Sequence, residues 1–453
     1  MSPGPSPHRR ARGAVIAAAL GAAAVLVAAC TGTSGSQVEV RAATTERAGG
    51  GSTTTAPPDC AQMLPVEARA AQLLMVMVTT PQLAGEPVAD GTVGGFGLKG
   101  NQSKDVGTQI ADAVKDAPLP VSVAADEEGG TVQRLRLAIG AIPAAATVAK
   151  GTPEDAAAQA KEHAAAMKQL GFTMNFAPVA DVGSGSGLGT RSYSSDVATV
   201  SRFVGAIVPA VEQAGIIPVV KHWPGIGGGG PDPHDRLPTL ANIDQLRSKD
   251  LVPFDKAIAA GVPAIMVTHA NVPGLTQQGE PTSLSAAAIT GELRGREKFD
   301  GLVITDSLGM GAVAATTSQA EAAERAITAG ADIALVSGAD AVPAAHARLV
   351  DAIGSGRIPP DQGPASVRRV LSAKGVDDQC LDAVARYSSL ARSASSTTTS
   401  VAGSGTADTG INSGTDTGSG TGSGTGSTTS VPRTTTSRPR TTTGLPRTTS
   451  TGG

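Results

Sequence analysis

Short, almost wholly apolar runs alternate with Ala-rich helical stretches between residues 60 and 392. A run that is apolar at successive positions, and not only at every second one, is typical of a strand buried on both faces of a parallel sheet. The strand-like runs cover residues 73–78, 93–98, 119–124, 172–179, 216–220, 264–267, 302–304 and 333–336. The stretches between and after them predict helices at residues 104–115, 153–170, 197–214, 243–260, 286–294, 319–329 and 343–353.

The predicted helices begin and end with suitable residues. Pro153 suits the first turn of a helix, where its missing N–H has no partner to lose. A glycine follows several of the helices, where a left-handed cap is needed: Gly171, Gly215, Gly261 and Gly330. Strands that alternate with helices over a body of this size predict an α/β fold, a single (β/α)8 TIM-type barrel. The alternative is an open doubly wound sheet, although no GxGxxG follows the first run to support a dinucleotide-binding fold.

The two ends of the chain differ from this body, which forms the predicted barrel domain at residues 60–392. Residues 1–29 combine an arginine-containing start with an apolar stretch, as in a signal peptide. The ending VAAC resembles a bacterial lipobox, which implies cleavage before Cys30 and a lipid that anchors the protein to the outside of the cell membrane. The other interpretation is a secretory signal with a chance cysteine. Residues 30–59 are predicted to be a flexible tether, and the Ser/Thr/Gly/Pro-rich residues 393–453 a disordered tail.

Charge and cysteine content limit the class of partner. The formal charge of -3 becomes -6 once the three arginines of the signal are removed. With no basic excess and few aromatic residues, nucleic acid is not an expected partner. Cys60 and Cys380 lie near the two ends of the body, and in an oxidising compartment they predict a disulfide that joins those ends. The alternative is two free thiols.

Ionisable side chains follow the third to the seventh strand-like runs. They are Asp126, Asp181, Lys221 with His222, His269 and Asp306. In a barrel these positions converge on one face, where active sites lie. A single aspartate after a strand is often only a helix cap, but five successive strand ends with ionisable groups are harder to explain in that way.

The carboxylates suggest glycoside chemistry, because a retaining glycosidase needs an anion that attacks the sugar. Asp306 suits this role, since it ends a strand and does not lie on a flexible loop. His234 suits the second role, protonation of the leaving group, with Asp232 two residues away to orient its imidazole. The alternative for this Asp-Pro-His segment is a solvated surface loop. The Gly-rich run after Lys221 and His222 predicts that His234 moves toward the substrate and away again.

These residues lie in segments that resemble motifs of glycoside hydrolase family 3, and in particular its bacterial exo-acting β-N-acetylglucosaminidases (β-hexosaminidases). Residues 221–238 resemble the signature KH(F/W)PG…DxHxxLP. The other segments, in chain order, are 126–135 (DEEGGTVQRL), 175–182 (NFAPVADV), 189–193 (GTRSY) and 304–310 (ITDSLGM). The resemblance implies a barrel with Asp306 as nucleophile and the His234/Asp232 dyad as acid/base. It further implies that the terminal sugar is held by Asp126, Arg134, Arg191, Lys221 and His222.

The chain departs from the family pattern in two places. Residues 226–229 are IGGG where the family commonly has HGDT, so the loop loses polar groups and gains flexibility. Glu127 replaces Gln and Thr131 replaces Arg in the Asp126 motif, which changes affinity if either one contacts sugar or supports Arg134. Asp181 either has a site role or only braces the barrel mouth.

The leading hypothesis is a retaining exo-glycosidase that removes terminal β-linked N-acetylglucosamine from peptidoglycan-derived or related glycans. One alternative is phosphorolysis at the same site, because a neutral imidazole repels phosphate less than a carboxylate does. Another is a non-catalytic, glycan-binding envelope lipoprotein. A metal-dependent hydrolase with His222, His234 and His269 as ligands is less favoured, because no HxH lies on an early strand. We expect no cofactor or metal, and a monomer.

Overall fold

The computed structural model describes residues 59–185, 187–376 and 381–390. The predicted signal, Cys30, nearly all of the tether, the tail and Cys380 lie outside these ranges. Cys60, which lies inside these ranges, is disulfide-bonded. No helix in the described ranges combines the length and the apolar character that crossing a membrane requires.

Parallel strands form the centre of the fold. In chain order they are β1 (Leu74–Val78), β2 (Gly95–Leu98), β3 (Ser122–Ala125), β4 (Met174–Asn175), β5 (Ile217–Trp223), β6 (Ala264–Val267), β7 (Leu302–Thr305) and β8 (Ala334–Ser337). From β1 to β7 each strand pairs with the next one in the chain, and β8 pairs with β1. A parallel bridge between Ile304 and Ile333, with the Thr305 N–H donating to the Ile333 carbonyl at 3.0 Å, closes the remaining gap. The barrel prediction is therefore confirmed, and the open sheet is not observed.

Helices surround the barrel. They are α1 (Cys60–Met63), α2 (Val66–Gln72), α3 (Gln82–Ala89), α4 (Val106–Val114), α5 (Arg136–Ile139), α6 (Ala145–Val148), α7 (Pro153–Gln169), α8 (Val197–Gln213), α9 (Ile243–Ser248), α10 (Val252–Ala259), α11 (Gly311–Ala314), α12 (Gln319–Ala329), α13 (Val342–Gly354) and α14 (Gln362–Ala373). A π-helix covers Ala287–Arg296, and 3-10 turns cover Gly189–Arg191, Thr282–Leu284 and Ala339–Ala341. The four predicted glycine caps all have positive φ, between 79° and 112°.

Two predicted elements differ from the structure because of proline. The run 172–179 forms only the two-residue strand β4, and Val179 then pairs with Lys221 as an isolated bridge. Pro178 between them has no N–H for a ladder hydrogen bond. The predicted helix 243–260 is two helices, α9 and α10. Pro253 lies in the first turn of α10, where proline is tolerated, whereas inside a continuous helix its ring would clash with the preceding turn.

The core has two layers. The larger one packs the outer faces of the strands against the helices. The smaller one fills the barrel interior, largely with methionine, leucine, isoleucine and phenylalanine side chains. Four interior residues also form the floor of a cavity: Met77, Phe176, Met266 and Leu335. Because this packed interior blocks the barrel, any ligand must bind above it, among the loops that follow the strands.

Candidate active site

A cavity of about 990 Å³, including the solvent-open space at its mouth, lies at the carboxyl ends of the strands. The sequence-predicted residues that line it are Asp126, Arg134, Arg191, Lys221, His222, His234 and Asp306. Asp232 reaches the site through its hydrogen bond to His234. The structure therefore brings together side chains that are up to 180 positions apart in the chain.

The lining residues outside the predicted set include three with polar side chains, Lys99, Ser337 and Glu128, and the same reasoning finds two of them. Lys99 directly follows β2 and Ser337 ends β8, so the rule that polar residues at strand ends form the site applies to both. The third is Glu128, which lies beside the predicted Asp126. Its role is set by contacts with residues from two later parts of the chain, which no local pattern shows.

A buried network of charges forms the wall above β3 and β5. The Lys221 ammonium lies 2.6 Å from Asp126 Oδ1 and 2.7 Å from Glu128 Oε1, and the Lys221 and Glu128 side chains are each only 2% exposed. Arg191 donates two hydrogen bonds to the Glu128 carboxylate, at 2.7 and 2.8 Å. Burial alone raises the pKa of Glu128, but Lys221 and Arg191 outweigh it and bring the pKa to about 2. The network therefore stays ionised and rigid near neutral pH.

Asp181 fixes the position of His222. Its carboxylate accepts from His222 Nδ1 at 2.7 Å and from the backbone N–H of Ile226 at 2.8 Å, and it is fully buried. With its proton on Nδ1, His222 accepts from Arg191 through Nε2 at 3.2 Å. Asp181 thus braces the barrel mouth, one of the two roles considered for it, and sets which nitrogen of His222 faces the cavity.

Glu127 supports Arg134 from behind. Its Oε1 accepts hydrogen bonds from the backbone N–H groups of Arg134 and Leu135, and its Oε2 accepts from His163 Nε2 of α7 at 2.9 Å. Glu127 is buried and does not line the cavity. Glu127, which stands where the family pattern has Gln, therefore finds a hydrogen-bond donor for its second oxygen on α7. It contacts the site only indirectly, through the backbone that carries Arg134.

Asp306 lies directly after β7, at the base of the cavity. Its carboxylate accepts from the Ser307 backbone N–H at 2.8 Å and from the Thr268 hydroxyl at 3.2 Å. Burial raises its pKa, but the hydrogen bond from the Ser307 N–H and the charge of Lys221 favour the ionised form, so that the pKa stays below its ordinary value. An ionised, positioned carboxylate is the group that attack on a sugar carbon requires.

His269 is buried next to this aspartate and is fully hydrogen-bonded within the protein. Its Nδ1 lies 2.6 Å from the Ser283 hydroxyl, and its Nε2 lies 2.9 Å from the Ser307 carbonyl. Burial lowers the pKa of His269, so the neutral imidazole is favoured. Since the Ser307 carbonyl can only accept, Nε2 carries the proton, and His269 holds the segment that contains Asp306.

His234 and Asp232 form a hydrogen-bonded pair on the loop after β5. His234 Nδ1 lies 2.8 Å from Asp232 Oδ1, and the backbone N–H of His234 donates to the same oxygen at 2.9 Å. Partial burial raises the pKa of Asp232, but these two hydrogen bonds from His234 bring it below the ordinary value. The loop rests on the segment after β7, where the Gly311 N–H donates to the His234 carbonyl at 2.9 Å. The imidazole, 69% exposed, therefore borders the cavity that contains Asp306.

Comparison with known proteins shows to which family a chain with this barrel and these cavity residues belongs. The family model described as glycosyl hydrolase family 3 N terminal domain matches residues 65–373, more than half of the chain. The chain belongs to glycoside hydrolase family 3. It is a glycoside hydrolase, and its barrel is the one that the sequence predicted. The motif resemblance stated above is thereby confirmed at the level of the family.

Individual relatives agree with this assignment. The chain is 38% identical to the beta-hexosaminidase LpqI of Mycobacterium tuberculosis over 324 residues, which cover 69% of this chain and 83% of that protein. A glycosyl hydrolase of the same family from Mycobacterium smegmatis is similar in structure, with a TM-score of 0.66, 38% identity and coverage of 70% of this chain and 99% of that one. A β-N-acetylglucosaminidase of the family from Paenibacillus sp. gives a TM-score of 0.64 at 30% identity, over 72% of this chain and 69% of that one.

The Gly-rich loop of this family member packs backbone against backbone. The Gly227 carbonyl accepts from the Gly185 N–H at 3.2 Å, and a Cβ on Gly227 would lie 2.1 Å from the Val182 carbonyl oxygen. A side chain therefore does not fit at Gly227. Gly228, the next residue, has no atom within 4 Å of a Cβ placed on it.

Replacing Gly227 with alanine is expected to lower kcat/KM by about tenfold to a hundredfold, because the clash shifts the loop that carries His234 and a shift near 1 Å costs about this much. Gly228→Ala is the matched control in the same loop and should stay within about threefold of the parent. The measurement is kcat/KM on an aryl β-N-acetylglucosaminide, with the melting temperature of each variant recorded. Equal losses in both variants would show that loop flexibility, and not close approach at Gly227, matters.

Proposed function

We propose that the protein is a retaining exo-β-N-acetylglucosaminidase that uses Asp306 as nucleophile and His234, oriented by Asp232, as acid/base. The observation that carries this proposal is that an ionised carboxylate and an exposed imidazole, from two different loops, border one cavity. The β-hexosaminidase relatives support the choice of an N-acetylated amino sugar as substrate.

In the first step, an oxygen of Asp306 attacks the anomeric carbon while the bond to the leaving oxygen breaks. His234 gives that oxygen a proton, so the aglycone leaves as a neutral alcohol. In the second step, His234 takes a proton from water, and the water oxygen displaces the Asp306 ester. Two inversions return the original configuration. Because Nδ1 is directed at Asp232, the proton is exchanged at Nε2 of His234.

The charged wall supplies the contacts that hold the terminal sugar. Asp126 retains capacity to accept hydroxyl protons, and Lys221, Arg191 and Arg134 donate to sugar oxygens. Since Lys221 and Arg191 are already fixed by Glu128, little side-chain entropy is lost when the sugar binds. His222 adds a further polar contact from β5.

We further propose that the protein acts outside the cytoplasm as a monomer anchored through a lipid on Cys30. The location and the anchor rest on residues 1–30 of the sequence, which lie outside the described ranges. Such a location gives access to cell-wall glycans, and we propose peptidoglycan-derived fragments as the substrates. Metabolic labelling with an alkyne fatty acid, in the parent and in Cys30→Ala, tests the anchor: label in both proteins or in neither would contradict it.

The test of the proposed reaction is hydrolysis of 4-nitrophenyl β-N-acetylglucosaminide by the full-length protein, with the first-formed sugar followed by proton NMR. The β anomer is expected as first product, because the reaction retains configuration. The α anomer would exclude the covalent route, and cleavage of the β-glucoside at an equal rate would exclude specificity for the N-acetyl group. Added inorganic phosphate distinguishes hydrolysis from phosphorolysis, which would yield the sugar 1-phosphate.

A further inference from the structure

Lys99 is a cation at the edge of the cavity that the reaction above does not use. It directly follows β2, and its backbone N–H donates to the Val78 carbonyl at 2.9 Å. Its carbonyl accepts from Gln102 Nε2 at 3.1 Å, and its ammonium donates to Ser337 Oγ at 2.9 Å. The residue is therefore held at both its backbone and its charged end.

Ser337, whose hydroxyl holds Lys99, is itself fixed through its backbone. The Gln319 side chain accepts from the Ser337 N–H at 2.6 Å and donates to the Ser337 carbonyl at 3.0 Å. Gly309 lies against the same serine, because a Cβ on Gly309 would be 2.6 Å from Ser337 Cβ. Lys99 and Ser337 thus border residues 307–310, which directly follow Asp306. The ammonium therefore lies on the side of the cavity that is formed by the segment after Asp306.

The other lysine and arginines of the cavity have carboxylate partners. Arg134 pairs with Asp126, Arg191 with Glu128, and Lys221 with both carboxylates. Within the described ranges, no carboxylate lies within 4 Å of the Lys99 nitrogen. The lining includes four lysine or arginine side chains against three carboxylates, so one positive charge is left over at Lys99 when the histidines are neutral.

We propose that Lys99 binds an anionic group, a carboxylate or phosphate, that the substrate carries near the cleaved bond, and that it makes the enzyme select such substrates. An ammonium has three N–H donors, and Ser337 uses one of them, so two remain for an anion. A charged hydrogen bond in a partly enclosed site is stronger than a neutral one. This inference rests on the proposed function, because it assigns a substrate class to the same cavity.

The test compares substrates that differ only in one anionic group, in the parent, Lys99→Met and Lys99→Arg. In the first pair, N-acetylglucosaminyl-β-1,4-N-acetylmuramic acid carries a lactyl carboxylate on the acceptor sugar, and N,N′-diacetylchitobiose lacks it. In the second pair, the 4-nitrophenyl β-N-acetylglucosaminide is used with and without a 6-phosphate on the cleaved sugar. The two pairs distinguish an anion on the leaving sugar from an anion on the terminal sugar.

We expect the ratio of kcat/KM, anionic to neutral, to fall by about tenfold to a hundredfold in Lys99→Met for one of the two pairs. Lys99→Arg should restore most of it, because the charge is kept. An unchanged ratio in both pairs would overturn the proposal, and so would equal losses on anionic and neutral substrates, which would indicate a structural role only.

A second measurement does not depend on turnover. The increase in melting temperature caused by D-lactate or inorganic phosphate should be smaller in Lys99→Met than in the parent. If the parent cleaves none of the four substrates, the proposed function fails. The change in melting temperature then shows by itself whether Lys99 binds an anion. If the shift is equal in parent and variant as well, the anion site is excluded.

Discussion

Asp306→Ala is expected to lower kcat/KM for an aryl β-N-acetylglucosaminide by roughly 10³-fold or more, because the nucleophile that forms the covalent intermediate is lost. Among the residues that the structure describes, no other carboxylate near the cavity is placed to act instead. Asp126 and Glu128 are held by Lys221 and Arg191 at the opposite wall, and Asp181 is buried behind His222. Measurement of kcat/KM over the full substrate range gives the loss directly.

Azide distinguishes loss of a nucleophile from loss of the fold. In Asp306→Ala, azide can enter the space left by the carboxylate and displace the aglycone in a single inversion. The expected product is therefore the α-glycosyl azide, and its rate should rise with azide concentration. Asp306→Asn keeps the shape of the side chain, so its melting temperature reports whether the segment after β7 stays intact. Parent-like activity in either variant would exclude Asp306 as the nucleophile.

The same variants give a prediction for the pH dependence. Because the Asp306 pKa lies below its ordinary value despite burial, the carboxylate is ionised from about pH 5 upward. The ratio of parent to Asp306→Asn activity should therefore be the same at about pH 5 and about pH 8. If the pKa were raised instead, the parent would lose its nucleophile on acidification and the ratio would shrink toward pH 5.

The sequence predicted the barrel because its strands are buried on both faces, which makes each one a continuous apolar run. The rule that functional groups follow such strands then located Asp126, Lys221, His222 and Asp306. Lys99 satisfies the same rule but follows the second strand, whereas the predicted residues follow the third to the seventh strand-like runs.

Other features depend on contacts between distant segments and have no local pattern. The need for glycine at position 227 arises from the Val182 carbonyl, 45 positions earlier. The support of Arg134 by Glu127 depends on His163 of α7. The length of β4 was overestimated because an apolar run shows burial, whereas Pro178 limits hydrogen bonding. Sequence patterns thus predicted which residues are buried or functional. They did not predict the hydrogen bonds and close contacts that hold these residues in position.

His234→Ala is expected to lower kcat by about 10² to 10⁴ for substrates with a sugar leaving group, the range that general acid catalysis usually contributes. A sugar alkoxide cannot leave without a proton, whereas a dinitrophenolate can. The loss in the first step should therefore be much smaller for the 2,4-dinitrophenyl β-N-acetylglucosaminide than for N,N′-diacetylchitobiose. The second step depends on His234 for either substrate, because His234 also activates the water.

The variant should therefore show a burst of one dinitrophenolate per active site, followed by slow turnover. The glycosyl-enzyme formed on Asp306 should be visible as an increase in the intact mass of the protein. Asp232→Asn is the matched variant, because it keeps the imidazole of His234 but removes the negative charge that lies 2.8 Å from its Nδ1. We expect an intermediate loss of kcat, about tenfold to a hundredfold. Since His234 is 69% exposed, its removal should change the melting temperature little. Equal losses for the dinitrophenyl and disaccharide substrates, without a burst, would show that His234 is not the acid/base and that the proton comes from another group bordering the cavity.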